Sequence, residues 1–484
     1  MRIVVIGAGF GGIGAAIELT RHGFHDIEIL EAGPDIGGTW LFNTYPGAAC
    51  DVPSPLYSYS YAKRDDWAHL CAYQPEILAY LQGVAREFDV ARLVRTNTRV
   101  TDASWDAATA RWTITAEGGR QWSADAVIVS TGQLSNPTHP QLPGLDSFTG
   151  RVFHSARWDH SHDLTGKRVA VIGSGASAVQ FVPPVAELAA HLTVFQRTPN
   201  WFMPRRNTPY PRVIRDGVQR LPGVQDFRRG FLFEYSETLT AAIRNPGTVG
   251  RVAAARSAAF MRWQLRDAPP ELAAKLTPDY PFGCKRVLFS SHFLPTFLRP
   301  NVSLVTERVT ELAPGGVRTA DGELHPADCL IWATGFATND FMFPLTIHGR
   351  GGRSLRELWR TGAHAHLGMT VPEFPSMFVL YGPNTNTSGG SIIWYLEQQV
   401  RYVRQALELV RARGAAAIEV RPEVEAAGDR ALQEKFAGTA WTGGCESWYL
   451  DHGRNVANWP GYMAQYRKAV RRLRVEDFDL VARP

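Results

Sequence analysis

The chain has 484 residues and only five cysteines: Cys50, Cys71, Cys284, Cys329 and Cys445. None forms a CxxC or another close pair, which argues against a disulfide framework, a zinc site and a dithiol redox centre. A reducing, cytoplasmic compartment is the simplest reading. No segment offers about 18 uninterrupted apolar residues, so no membrane span is expected. The opening MRIVVIGAGFGGIGAAIEL has Arg2 and then an apolar run. Its glycines fall at phosphate-loop spacing, however, and no cleavage site follows, so it does not read as a signal peptide. Basic runs are missing too. The 51 lysines and arginines are scattered and the formal net charge is a mild +5, so nucleic acid is not an expected partner. Repeats and low-complexity tracts are absent. What remains is ordinary globular composition, 45% hydrophobic and 20% charged, with length for two or three domains.

What is present begins at the first residues. Arg2 to Ile6 is a short apolar run that reads as a buried strand. Gly7-Ala8-Gly9-Phe10-Gly11-Gly12 follows, then a helical pattern through His22, then the apolar run Ile27 to Leu30 ending in Glu31. This is β-loop-α-β with an acid about 20 residues past the loop, the opening of a dinucleotide-binding unit. Gly7, Gly9 and Gly12 let the backbone approach a pyrophosphate at the positive end of the helix. Glu31 would accept hydrogen bonds from the ribose hydroxyls of an adenosine.

The pattern recurs. The run Arg168 to Ile172 enters Gly173-Ser174-Gly175-Ala176-Ser177-Ala178, a helix, and the strand Leu192 to Gln196. Gly173, Gly175, Ala176, Ser177 and, further along the helix, Gln180 are the candidate contacts of this second loop. Where a site for NADH would place an acid, this chain has Arg197 and Thr198. A carboxylate would repel a 2′-phosphate, whereas Arg197 can hold it with a forked contact and Thr198 can add a hydroxyl. The second site is therefore expected to take NADPH, and the first is most simply an FAD site. A pyridine-dependent disulfide reductase would also carry two loops. It needs a redox cysteine pair, and Cys50 and Cys71 stand too far apart in sequence to be one. Two further apolar strands, Ala126 to Val129 and Cys329 to Trp332, end in Ser130-Thr131-Gly132 and Ala333-Thr334-Gly335, turns that suit crossings between domains.

Between the two units stands FTGRVFHSARWD, with Phe148, Gly150, His154, Trp158 and Asp159. With it go Gly37, Gly38, Thr39 and Trp40, then Asn43, Tyr45-Pro46-Gly47 and Asp51. On these two motifs the chain resembles, over nearly its whole length, the flavin-dependent Baeyer–Villiger monooxygenases. Their sister N- and S-oxygenating enzymes usually carry Tyr or Phe where this chain has Trp158. The resemblance implies an α/β fold: two dinucleotide-binding, Rossmann-like domains with a helical insertion in the second. Residues 1–140 would open the FAD domain and 141–199 the NADP domain. The Arg-, Pro- and aromatic-rich residues 200–285 would be the insertion. Residues 286–337 would complete the NADP domain, and 338–484 the FAD domain and the cover of the active site. His154 and Trp158 would set how the two domains sit and change partners as they rotate.

The resemblance also implies chemistry. NADPH reduces FAD, oxygen adds at C4a, and the resulting peroxyflavin anion attacks a ketone to give an ester or lactone. A fixed cation must hold that anion without protonating it, which suits arginine. In Phe282-Gly283-Cys284-Lys285-Arg286, Arg286 is the implied catalytic group and Asp51 its partner. Lys285 would join Arg197 at the 2′-phosphate. Gly38, Thr39, Trp40, Tyr57 and the Val100 backbone would line the FAD site. Gln133 would face flavin and nicotinamide, and Trp448 would close over NADP. The expected partners are a small ketone and O2. The alternative activity is oxygenation of sulfur or nitrogen in small molecules, and a flavoprotein that only reduces oxygen is a third reading. Gly382 to Asn386, Gly389 to Ile393 and Cys445 to Pro460 look more like relatives that accept aryl or open-chain ketones. The ketone itself is not legible.

Overall fold

The computed structural model describes residues 1–64, 66–205, 207–211, 213, 223–387 and 389–484. Residues 206, 212 and 214–222, part of the stretch read as an insertion, lie outside the described residues. In chain order, the elements that position the site are β1 (Ile3–Ile6), α1 (Phe10–Arg21), β2 (Ile27–Leu30), β3 (Ala126–Val129), β4 (Arg151–His154), β5 (Arg168–Ile172) and α2 (Ala176–Leu188). Then come β6 (His191–Phe195), α3 (Val224–Arg244), α4 (Val249–Gln264), β7 (Val302–Val305), β8 (Cys329–Trp332), β9 (Met377–Val379) and α5 (Ile392–Arg413).

Two parallel sheets form the frame. The first runs β9-β3-β1-β2 and ends on the short strand Val94–Arg95. The second runs β7-β6-β5-β8-β4. Ile3 pairs with Ile27 and with Ala126, and Arg168 with His191, so each unit centres on the strand that feeds its loop. β1 reads IVVI and β3 AVIV, without alternation, because both faces are covered: Ile3, Val4, Val5 and all of β3 are fully buried. Helix α1 packs on α5 beneath the first sheet, and α2 packs in the apolar cluster of the second.

An antiparallel meander, Val100–Asp106, Arg111–Ala116 and Gln121–Ala124, lies beside the first sheet. Trp105, Trp112 and Trp122 face its buried side. The helical excursion of α3, α4 and Pro270–Lys275 leaves and returns through adjacent chains, since Phe202–Met203 pairs with Leu288–Phe289. The two crossings between sheets also touch: Thr138 N donates to Gly335 O at 2.9 Å and Ala337 N to Asn136 O at 3.0 Å. Among the described residues, no helix is long and apolar enough to cross a membrane.

One sequence expectation fails here. Cys284 and Cys445 form a disulfide with a Cα–Cα distance of 6.2 Å. The two residues are 161 positions apart, so no local spacing announces the bond; the fold brings them together. Cys50 and Cys71 are distant in sequence but sit on paired segments, with Cys50 N donating to Ala72 O at 3.1 Å. Both remain free thiols. Burial pushes the Cys71 thiol up to about 11 and the Cys50 thiol well above its ordinary value, so both are protonated at neutral pH.

Candidate active site

The first glycine of each loop is pressed against the end of a neighbouring strand. Gly7 has φ +105°, and a Cβ there would come within 2.5 Å of Ser130 O, just past β3. Gly173 has φ +110°, and its Cβ would meet Ala333 O at 2.3 Å, just past β8. No larger residue fits either turn. Gly9 and Gly175 cap α1 and α2 without any side-chain bond, which leaves the first-turn amides for an anion. Gly12 packs on Gly7 O; in the second loop Ala178 takes that place, fully buried.

A single cavity of about 1810 Å³ runs from one loop to the other. Apart from Gly12, every candidate catalytic or cofactor-binding residue lines it, whereas His154 and Trp158 of the FTGRVFHSARWD stretch do not. On the first side Glu31 is buried, its two carboxylate oxygens accepting from Ala8 N and Gly33 N at 2.7 Å each. The carboxylate is thus fixed at the loop. Trp40 Nε1 donates to the Tyr57 hydroxyl at 3.1 Å, setting both rings in the wall, and Val100 begins the meander beside them. Gln133 follows the Ser130–Gly132 turn, and both ends of its buried amide lack a partner among the described residues. A buried, unsatisfied amide facing a cavity is what a bound polar ring would complete. Gln180, by contrast, is engaged already: its amide accepts from Ala49 N at 2.9 Å and donates to Ala49 O at 3.1 Å.

On the second side Arg197, just past β6, is exposed and Thr198 adjoins it. Lys285 is held below the usual lysine range by partial burial and then by the charge of Arg197. Two cations facing one space repel until an anion enters. Glu446 acts on Lys285 in the opposite sense.

The two sides meet at Arg286 and Asp51, whose Nη2 and Oδ2 lie 2.6 Å apart. Arg286 keeps 42% of its side-chain surface open, yet that surface faces the cavity and the group is surrounded by protein at longer range. The charge of Asp51 outweighs burial and raises the arginine further above its ordinary value. For Asp51, burial works upward, but the charges of Arg286 and Arg205 and the hydrogen bond hold it below the usual carboxylate range.

Sequence reasoning missed Arg205, Tyr381 and Tyr449. Arg205 Nη2 donates to Cys50 O at 2.8 Å, beside Asp51. Tyr381 and Tyr449 face the field of Arg286, and burial pushes each phenol up to about 12. Tyr449 adjoins Trp448, whose ring centroid is 4.5 Å away. The one available signal was adjacency to residues already singled out. In the FTGRVFHSARWD stretch, Trp158 packs between Phe153 and Phe181, 5.2 Å from each, and His154 between His139 and Phe336.

A family model described as flavin-binding monooxygenase-like matches residues 1–215. A Baeyer-Villiger monooxygenase of Streptomyces coelicolor is 41% identical, covering 99% of this chain and 93% of its own. Among solved structures, an oxidised steroid monooxygenase bound to NADP superposes with a TM-score of 0.89 at 32% identity. OTEMO in complex with FAD and NADP superposes equally, at 29% identity. Each covers 99% of both chains.

Proposed function

The chain belongs to the Baeyer–Villiger monooxygenase family, and we propose that it inserts one atom of dioxygen beside a ketone carbonyl. FAD occupies the first loop and NADPH the second. When bound, FAD supplies activation of dioxygen and NADPH the reducing equivalents that the reaction consumes. The first loop fits the flavin nucleotide through Glu31, the free amides of α1 and the unsatisfied amide of Gln133. The second fits NADPH through α2, Arg197, Thr198 and Lys285.

The observation that carries the reading is Arg286 held by Asp51 inside the cavity that joins the loops. Its guanidinium is a fixed positive charge that does not give up a proton near neutral pH. We assign it the stabilisation of negative charge on the reacting oxygens, both before attack and on the former carbonyl oxygen afterwards. Asp51 fixes its direction, and Arg286 in turn, with Arg205 beside it, keeps Asp51 ionised. Tyr381 and Tyr449 keep their protons at neutral pH, so they line the centre as neutral groups. Trp448 covers NADP, and Tyr57 with Trp40 forms the flavin wall. The compartment we propose is the cytoplasm, with three cysteines as thiols and Cys284–Cys445 as a local exception.

The test is turnover with isotopically heavy dioxygen over a panel of cyclic, aryl and open-chain ketones. The expected result is an ester or lactone carrying one heavy oxygen per NADPH consumed. Release of only hydrogen peroxide with every ketone would overturn the reading, and turnover of sulfides or amines alone would move the assignment to heteroatom oxygenation.

A further inference from the structure

We infer that the Cys284–Cys445 disulfide is a positioning pair: it clamps the loop bearing Glu446 and Trp448 onto the segment bearing Lys285 and Arg286. The inference rests on the roles given to Lys285 and Arg286 above.

The first half of the clamp is rigid. Cys284 is buried at 1% exposure and its N donates to Pro281 O at 3.1 Å. Gly283, at φ +84°, lies so close to α3 that a Cβ would come within 2.5 Å of Ile243 Cγ1. The turn that presents Lys285 and Arg286 is therefore wedged against a helix. The second half is exposed and held loosely between the buried anchors Trp441 and Tyr449. Thr442, Gly443, Gly444, Glu446 and Trp448 are all exposed. The backbone bonds around them are local, such as Gly443 N to Ala440 O and Leu450 N to Ser447 O. Exposed backbone with few buried contacts opens at low cost.

The disulfide joins the loose half to the rigid half, next to the residues that matter. Glu446, one position beyond Cys445, acts on the charge of Lys285. Trp448 lines the cavity and its neighbour Tyr449 lies in the field of Arg286. With the bond intact, the wall over the nucleotide and the cation at the reaction centre keep one geometry. With it cut, the loop opens, NADP is held less well, and water reaches the reacting oxygens.

The experiment uses the flavin-loaded enzyme. Alkylation under denaturing conditions should find three thiols before reduction and five after. Dithiothreitol then cuts the bond by passing two electrons and two protons to it, giving the Cys284 and Cys445 thiols and the oxidised cyclic dithiol. NADPH use, ester formation and peroxide release are measured before and after, and again in Cys445→Ser. The expected result is a several-fold higher Michaelis constant for NADPH and several-fold more peroxide per NADPH, with FAD still bound. Five thiols before reduction would overturn the inference, as would constants and peroxide yield that stay unchanged when the bond is cut. The reduced wild type keeps the test decisive if the serine variant fails to fold. Should the intact enzyme make no ester from any ketone, the proposed reaction falls, while the shift in NADPH affinity still decides the role of the clamp.

Discussion

Arg286→Ala should separate the reductive and oxygenating halves of the reaction. The residue touches neither loop, so reduction of FAD by NADPH, followed without oxygen, is expected near the wild-type rate. Ester formation should fall by about 10² or more, the usual consequence of removing one charge-stabilising group from a water-excluded site. Retained ester formation would refute the role. The same substitution removes the strongest charge holding Asp51 down and leaves it buried beside Arg205, so burial would raise its carboxyl. Arg197→Ala tests the other cation. Losing a charged contact of about 2 kcal/mol should raise the NADPH Michaelis constant roughly 30-fold more than that for NADH. Equal effects on both cofactors would remove Arg197 from the 2′-phosphate. At this scale the sequence was readable wherever chemistry is local. Gly7, Gly173 and Glu31 stand at fixed offsets from a strand and need only that strand to form. Arg205, Tyr381 and Tyr449 belong to no spaced motif and reach the centre through tertiary packing, so beyond standing next to residues already singled out, as Tyr449 does beside Trp448, they carried no mark. Gln180 was legible as a residue of the loop helix, but not that its amide is taken up by Ala49.

Elements with strong apolar runs were legible to within a residue: β1 begins at Ile3 rather than Arg2, and β6 runs from His191 to Phe195 rather than Leu192 to Gln196. The two-residue strands that close the helical excursion carry no period and were invisible. The connector β4 shows the boundary between what pattern and packing can say. Its motif marks His154 and Trp158, but only the fold shows that β4 pairs in parallel with β8, setting His154 opposite Trp332. His154 accepts from Ala156 N at 3.0 Å. Burial, and then the charge of His139, lower its value to about 4. The ring is therefore neutral in the folded chain while the unfolded chain takes up a proton near the ordinary 6.5. Stability from this site is complete above 6.5 and is lost as the pH falls towards 4, because only the unfolded state gains the proton. His154→Asn keeps an acceptor for Ala156 N and cannot titrate. The fall in melting temperature between those pH values should be shallower in this variant than in the wild type. Parallel curves would show that His154 is protonated within the fold.

The whole molecule depends on how the helical excursion docks, because α3 and α4 help wall the cavity while belonging to neither sheet. The sequence suggested an insertion by its composition; it could not say what holds it. Arg229 on α3 reaches across to the first unit, donating to Pro55 O at 2.6 Å and Ser58 O at 3.0 Å. Its Nη2 lies 3.9 Å from Glu397 Oε2 on α5, with side chains 12% and 4% exposed. Glu397 also accepts from Ser60 N at 2.6 Å. Burial raises the Glu397 carboxyl above its ordinary 4.5 even with Arg229 present. Replacing the arginine by an apolar side chain leaves the carboxylate its hydrogen bond from Ser60 N but removes its opposite charge, so Arg229→Met should cost about 3 kcal/mol by stranding a buried carboxylate. The sign with pH follows from the raised value. Below 4.5 the carboxyl is protonated in both states and the stranded charge does not exist. As the pH rises, the unfolded chain ionises freely while the folded chain must hold its proton or bury the charge, and stability is lost. The melting-temperature gap between wild type and Arg229→Met should therefore widen from mildly acidic to mildly basic buffer. Adding Glu397→Gln should close the pH-dependent part of the gap and leave the part due to the Pro55 and Ser58 carbonyls. A gap that neither widens with pH nor narrows in the double variant would mean that α3 is held by its apolar face, and that the charge pair does not dock the excursion over the cavity.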